Sequence, residues 1–236
     1  MLQTDSPPPF LFQSLLGKTI VFDDNEKAII AALAPLEGGE WDEEFRDESI
    51  GKIFVKNGCD VLKSQREKLV KEIKNKLLEI QGPYCIYCGM HSDYCGSLQR
   101  EHIAPKGKRH YPGFVFEPKN LCLACNTCNC ELKREQDFSS GEKEDYLKNT
   151  FTIVHPYLDD FSEHIEFAVK GGKCLIKTKN KSQKGARTIT VFQLAGVPRT
   201  MQRSGFLTME DEQPSVEKDE RLSKIFFNKY LPKQRV

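Results

Sequence analysis

Cysteine spacing constrains this chain more than any other feature. Between Cys85 and Lys133 the sequence runs CIYCG, then REHIAPKG, then NLCLACNTCNCELK. Two Cys-x-x-Cys pairs, Cys85/Cys88 and Cys125/Cys128, bracket a long insert. Each such knuckle offers two sulfurs to one ion, and two knuckles make a closed tetrahedral Zn²⁺ site that staples a small fold together. The second pair is ambiguous at this stage, because Cys122/Cys125 has the same spacing and Cys130 lies close by. A four-thiolate site keeps no open position, so it is structural. The insert is longer than a plain zinc ribbon needs, and any chemistry must come from residues in it or beside the knuckles.

The chain carries nine cysteines, an odd number. With the paired spacing, this favours metal-bound thiolates in a reduced, cytoplasmic setting over a disulfide scaffold. The opening MLQTDSPPPFLFQ lacks the basic-then-apolar order of a secretory signal. No run of about 18 apolar residues is present to span a membrane. The net charge of +1 does not mark a nucleic-acid binder, but its distribution is uneven. Residues 1–60 are acidic, through Asp23, Asp24, Glu40, Asp42, Glu43, Glu44, Asp47 and Glu48. From Lys170 to Arg187 there are seven basic residues and no acidic one. That run reads equally as a lysine-rich exposed strand edge or as a phosphate-facing surface.

Periodicity predicts a mixed α+β fold. Asp23 or Asp24 caps a short helix carrying Ala28, Ile29, Ile30, Ala32 and Leu33, stopped by Pro35 and Gly38-Gly39. Residues 40–60 show no clean period. Ser64 with Glu67 forms a capping box for a helix over 65–80, whose stripe is Leu69, Ile73, Leu77 and Ile80 and whose end is Gly82-Pro83. Leu98–Ile103 reads as a strand, Phe114-Val115-Phe116 as a second, and Cys125 to Glu135 as a helix, together a ββα unit. Glu142–Asn149 suggests a helix, Ile165–Val169 and Lys173–Lys177 a hairpin at Gly171-Gly172, and Thr188–Leu194 a further strand. Residues 209–220 read as a polar linker, and Leu222, Ile225, Phe226 and Tyr230 as a docked helix. The expected units are an N-terminal region over 1–62, a core over 63–150 and an extension over 151–236.

The insert supplies an acidic-His dyad, Glu101-His102, and Asn129 follows Cys128 directly. Glu101 and Asn129 offer the hard oxygens that Mg²⁺ or Mn²⁺ prefers, with coordination positions left for phosphate and water. His102 can accept the proton of that water at neutral pH. Neighbours on a strand face opposite sides, so both reach one centre only if the strand ends there, as Ala104-Pro105 suggests. The position of Asn129 favours Cys125/Cys128 as the second knuckle. Lys106, Lys108, Arg109 and His110 follow the dyad and could hold phosphate oxygens, or form a solvated loop. His155, His164 and Trp41 read as structural.

With these motifs in place, the segment resembles the HNH (ββα-metal) endonucleases in their zinc-stapled form. The matching residues are Cys85/Cys88, Glu101-His102, Asn120-Leu121 and Cys125/Cys128-Asn129, over about fifty residues. The resemblance implies a general base at His102, a divalent ion on Glu101 and Asn129, and an Asn120 amide that ties down the ββα loop. More loosely, EHIAPK, HPYLDDFSEHIEF, TITVFQL and Arg199 resemble the HNH partner of the Septu and retron anti-phage systems, which work with an SMC- or ABC-like ATPase. The implied activity is hydrolysis of DNA, with RNA as the other substrate class. A non-catalytic zinc module and a Cys-x-x-Cys redox protein are the alternatives.

Overall fold

The computed structural model describes residues 12, 14–41, 52–56 and 59–209. Its first helix, Asp24–Leu33 (α1), is capped as the sequence predicts. The Asp23 side chain accepts from Glu26 N, and the Glu26 carboxylate accepts from Asp23 N at 2.7 Å, so two otherwise orphaned N–H groups are paired. Lys52–Lys56 (β1) and Cys59–Leu62 (β2) then pair antiparallel, where the sequence shows no period. The long helix Lys63–Gln81 (α2) follows at once. It begins one residue before Ser64, so Ser64 falls in the first turn rather than at the cap. Leu69, Ile73 and Leu77 are buried, and Ile80 is half-buried. The apolar stripe is thus core, and α1 is tied to α2 by a Lys76–Glu26 ion pair.

After a short helix at Ser92–Cys95 (α3), Leu98–His102 (β3) pairs antiparallel with Leu121–Cys125 (β4). The second strand therefore lies at 121–125, not at 114–116. Phe114 instead closes a 3₁₀ turn over Pro112–Phe114, and Phe114, Val115 and Phe116 are all buried in the loop. Pro112 lacks the N–H a ladder needs and presets φ for a tight turn. All five residues of β4 are buried, because α2 covers this strand. Thr127–Lys133 follows as a π-helix, with Arg134 N donating to Asn129 O at 2.7 Å. The helix expected over 142–149 is reduced to a 3₁₀ turn at Tyr146–Lys148, and Ser139–Ser140 (β5) pairs with Thr150–Phe151 (β6).

Beyond the four-residue helix Phe161–His164 (α4), Ile165–Lys170 (β7) and Lys173–Thr178 (β8) form the expected hairpin. Thr188–Leu194 is not a strand. Gln183–Val191 (α5) is a helix, capped by the Ser182 hydroxyl, which accepts from Gly185 N. The β-branched run mimics a strand, but Thr188 and Thr190 return their hydroxyls to Lys184 O and Ala186 O one turn back. Gly185 lets α5 approach α4, since a Cβ there would lie 2.1 Å from His164 O. The final described helix is Val197–Met209 (α6). The calls over 209–220 and at Leu222–Tyr230 lie outside the described residues, apart from Met209 itself. Among the described residues the strands form four two-stranded sheets. One apolar core runs through Leu15, Ile73, Leu121 and Phe192. Among the described residues no helix is long and apolar enough to cross a membrane.

Candidate functional site

Four thiols meet between α2, β4 and the π-helix. Gly89 at φ +70° turns the first knuckle back, so that Cys85 N donates to Met90 O and Gly89 N to Cys85 O. Gln81, at the end of α2, clamps this knuckle to β4: its amide donates to Tyr84 O and Leu123 O and accepts from Leu123 N at 2.9 Å. Ile86 N adds a bond to Leu123 O at 3.0 Å. The second knuckle is the end of β4 and the start of the π-helix. Its sulfurs and those of the first, Cys85, Cys88, Cys125 and Cys128, all lie within 4.8 Å of one another and are buried.

Sulfurs about 2.3 Å from a tetrahedral ion are about 3.8 Å apart. The Cys88–Cys125 separation of 3.9 Å fits that edge. The set could hold a metal such as zinc, and Cys122 and Cys130 stand outside it. Hydrogen bonds from Cys128, Cys85 and Cys88 hold the Cys125 thiol far below its ordinary pKa. Burial pushes Cys85 up. Arg199 of α6 donates to Cys128 Sγ at 3.6 Å, a cation placed where a four-thiolate metal site carries net negative charge.

The dyad sits on the last two residues of β3, and its side chains take different partners, as strand alternation requires. Glu101 is buried, pairs with Lys133 Nζ at 2.7 Å and accepts from the Tyr87 hydroxyl at 3.1 Å. Burial raises its carboxyl above the ordinary range, while Lys133 and Tyr87 act against the rise. His102 faces Val115 and Trp41. Its Nε2 lies 3.0 Å from Val115 O. A carbonyl only accepts, so Nε2 carries the proton and Nδ1 is left as the basic nitrogen. Burial lowers the His102 pKa to about 3, so the ring is neutral.

Asn129 Nδ2 donates to Gln99 Oε1 at 3.2 Å. Gln99 and Glu101 share one face of β3, and the π-helix docks along it through Asn129 and Cys130, which both donate to Gln99 Oε1, and through Lys133 on Glu101. Both the Lys133 ammonium and the Tyr87 hydroxyl sit on Oε1 of Glu101. Asn120 is fully buried and does bridge the loop: it accepts from Ala104 N at 2.7 Å and donates to Ala104 O and Phe114 O. Behind it, Tyr146 hydroxyl lies 3.2 Å from Asn120 Oδ1 and 2.8 Å from His155 Nε2. Of the basic loop, Lys106 Nζ reaches Gly38 O and Lys108 lies 3.5 Å from Glu37, both exposed to some degree. Arg109 is exposed, and His110 lies 3.9 Å from Asp137.

Sequence reasoning missed Lys133, Tyr87 and Gln99. The only signal for Lys133 was its place four residues after Asn129. No family model matches the sequence, and no curated protein matches it.

Proposed function

We propose that this protein is a metal-dependent HNH-type endonuclease whose core is the β3–β4 hairpin and the π-helix. The observation that carries the reading is the setting of His102. A carbonyl fixes its tautomer, and Asn120 braces the loop holding that carbonyl, leaving Nδ1 as a positioned proton acceptor. The orientation of Nδ1 suits removal of a proton from water attacking phosphorus; burial by itself weakens the base, and the negative charge of a bound phosphate would act against that. Glu101 and Asn129 would hold the divalent ion, which would polarise the phosphate and offset charge on the leaving oxygen. The four-cysteine site would set the position of Asn129 by fixing Cys128 beside it. Lys106, Lys108, Arg109 and His110 would contact phosphate. The looser resemblance extends the proposal to a defence effector acting on DNA with an ATPase partner.

A second reading has its own observation. Lys133 already neutralises the Glu101 carboxylate that a catalytic ion would use, which suits a zinc module that binds nucleic acid without cutting. Plasmid nicking with Mg²⁺ or Mn²⁺, wild type against His102→Ala, separates the two. Loss of nicking in the variant is expected; equal nicking by both proteins rejects the base assignment, and retention of DNA without cutting by wild type supports the module.

A further inference from the structure

Residues 36–41 lie against His102 and the loop that follows it. The Trp41 ring stands edge-on to the His102 imidazole, with 4.9 Å between centroids, and packs on Phe116. Arg66 Nη1 donates to Trp41 O at 2.8 Å, and the Arg100 guanidinium lies 5.5 Å over the indole. Upstream, Gly38 O accepts from Lys106 Nζ at 3.1 Å, and the Glu37 carboxylate lies 3.5 Å from Lys108 Nζ. The buried Glu40 carboxylate accepts from Glu37 N and Gly38 N, closing the segment into a tight turn. Its approach to the loop is close, because a Cβ on Gly38 would lie 2.1 Å from Lys106 O, and φ there is +94°.

The proposed base, His102, and two of the proposed phosphate contacts, Lys106 and Lys108, thus each meet one residue of this strap. They meet an aromatic ring, a carbonyl oxygen and a carboxylate. A nucleotide presents the same chemistry, a ring to stack and oxygens bearing negative charge. The Lys108–Glu37 pair is solvent-exposed and so holds the strap weakly. The main attachments are Trp41 and the Gly38–Lys106 contact.

We propose that residues 36–41 are an intramolecular competitor for nucleic acid, with Glu37, Gly38 and Trp41 holding the His102 face closed until a polyanion displaces them. The competing ligand rests on the reading given under Proposed function; the closure over His102 does not. Binding then carries the cost of opening, and apparent affinity is reduced by the fraction of molecules that are open.

The test uses the full chain and two readouts that need no cleavage. Diethyl pyrocarbonate labelling, resolved by peptide mass spectrometry, compares His102 with His110 in wild type, Gly38→Ala and Trp41→Ala. Binding of a short fluorescein-labelled duplex to the zinc-loaded protein is measured without added Mg²⁺ or Mn²⁺ and without a chelator, which would strip the zinc. Gly38→Ala removes no packed side chain, so it carries the test even if Trp41→Ala folds poorly. Lifting the strap should raise His102 labelling about tenfold and tighten duplex binding by a similar factor. Wild-type His102 reacting as fast as His110, or variants that change neither readout, would overturn the proposal. Faster labelling with unchanged duplex binding would overturn the competitor role. Tighter binding without nicking by any variant would uphold it and reject the endonuclease reading alone.

Discussion

Replacing Lys133 with methionine tests how firmly Glu101 is held. The two groups are 2.7 Å apart and only 2% and 7% exposed, so each is the other's main compensation for leaving water. Without the ammonium, Glu101 is left a buried carboxyl whose hydrogen bond from Tyr87 remains. Breaking one side of a buried pair costs about 3–5 kcal/mol. The carboxyl can escape part of that by taking up a proton. At pH 7, protonating a group of ordinary pKa near 4.3 costs about 3.7 kcal/mol, at about 1.36 kcal/mol per pH unit. The expected loss in Lys133→Met is therefore about 3–4 kcal/mol. The sign of its pH dependence follows. The variant's Glu101 has a folded pKa raised above the unfolded one, so the deficit is small below about pH 4.3 and grows as pH rises. Urea denaturation of the zinc-loaded protein at pH 5, 6 and 7 measures it, and Glu101→Gln added to Lys133→Met should restore most of the loss. A deficit under about 1 kcal/mol at pH 7, or one that is flat with pH, would refute the pairing.

The remaining predictions concern the supports of the site. Asn120→Ala removes the acceptor for Ala104 N and the donor to Ala104 O and Phe114 O; with buried partners left unpaired it should lose about 3 kcal/mol in thermal or chemical denaturation. Purified protein should carry one zinc per chain, and Cys125→Ser should lose it and unfold at lower temperature; elemental analysis showing zinc unchanged would count against the four-thiol assignment. His155 is fully buried and burial lowers its pKa to about 3. A histidine depressed on folding favours the native state above its unfolded pKa and loses that contribution as pH falls. Wild type should therefore weaken by about 2 kcal/mol between pH 7 and pH 5 relative to His155→Gln, compared by denaturation at both pH values.

The helical period made α2 legible, because a stripe at Leu69, Ile73 and Leu77 can be buried only one way. An aspartate at 23 or 24 likewise marked the start of α1, since capping is local; the structure selects Asp23 and adds Glu26. Phe114–Phe116 and Thr188–Leu194 misled for a shared reason: apolar or β-branched runs become strands only where a partner strand is available. In the first run Pro112 shaped a turn; in the second, the threonine hydroxyls and the glycine contact with α4 allowed a helix.

The sequence by itself determined which sulfurs could cluster, because Cys-x-x-Cys spacing is a local constraint on two ligands at a time. It also placed Glu101 beside His102, whereas the loop position of Asn120 followed only once the second strand was seen at Leu121–Cys125. Only the tertiary structure decided that Cys125/Cys128, not Cys122, completes the cluster, since that choice depends on how Gln81 and β4 hold the two knuckles together. The same holds for the dyad. The ion pair from Lys133 and the ring of Trp41 reach it from 32 residues downstream and 61 upstream, and contacts across such distances leave no periodic trace in the chain.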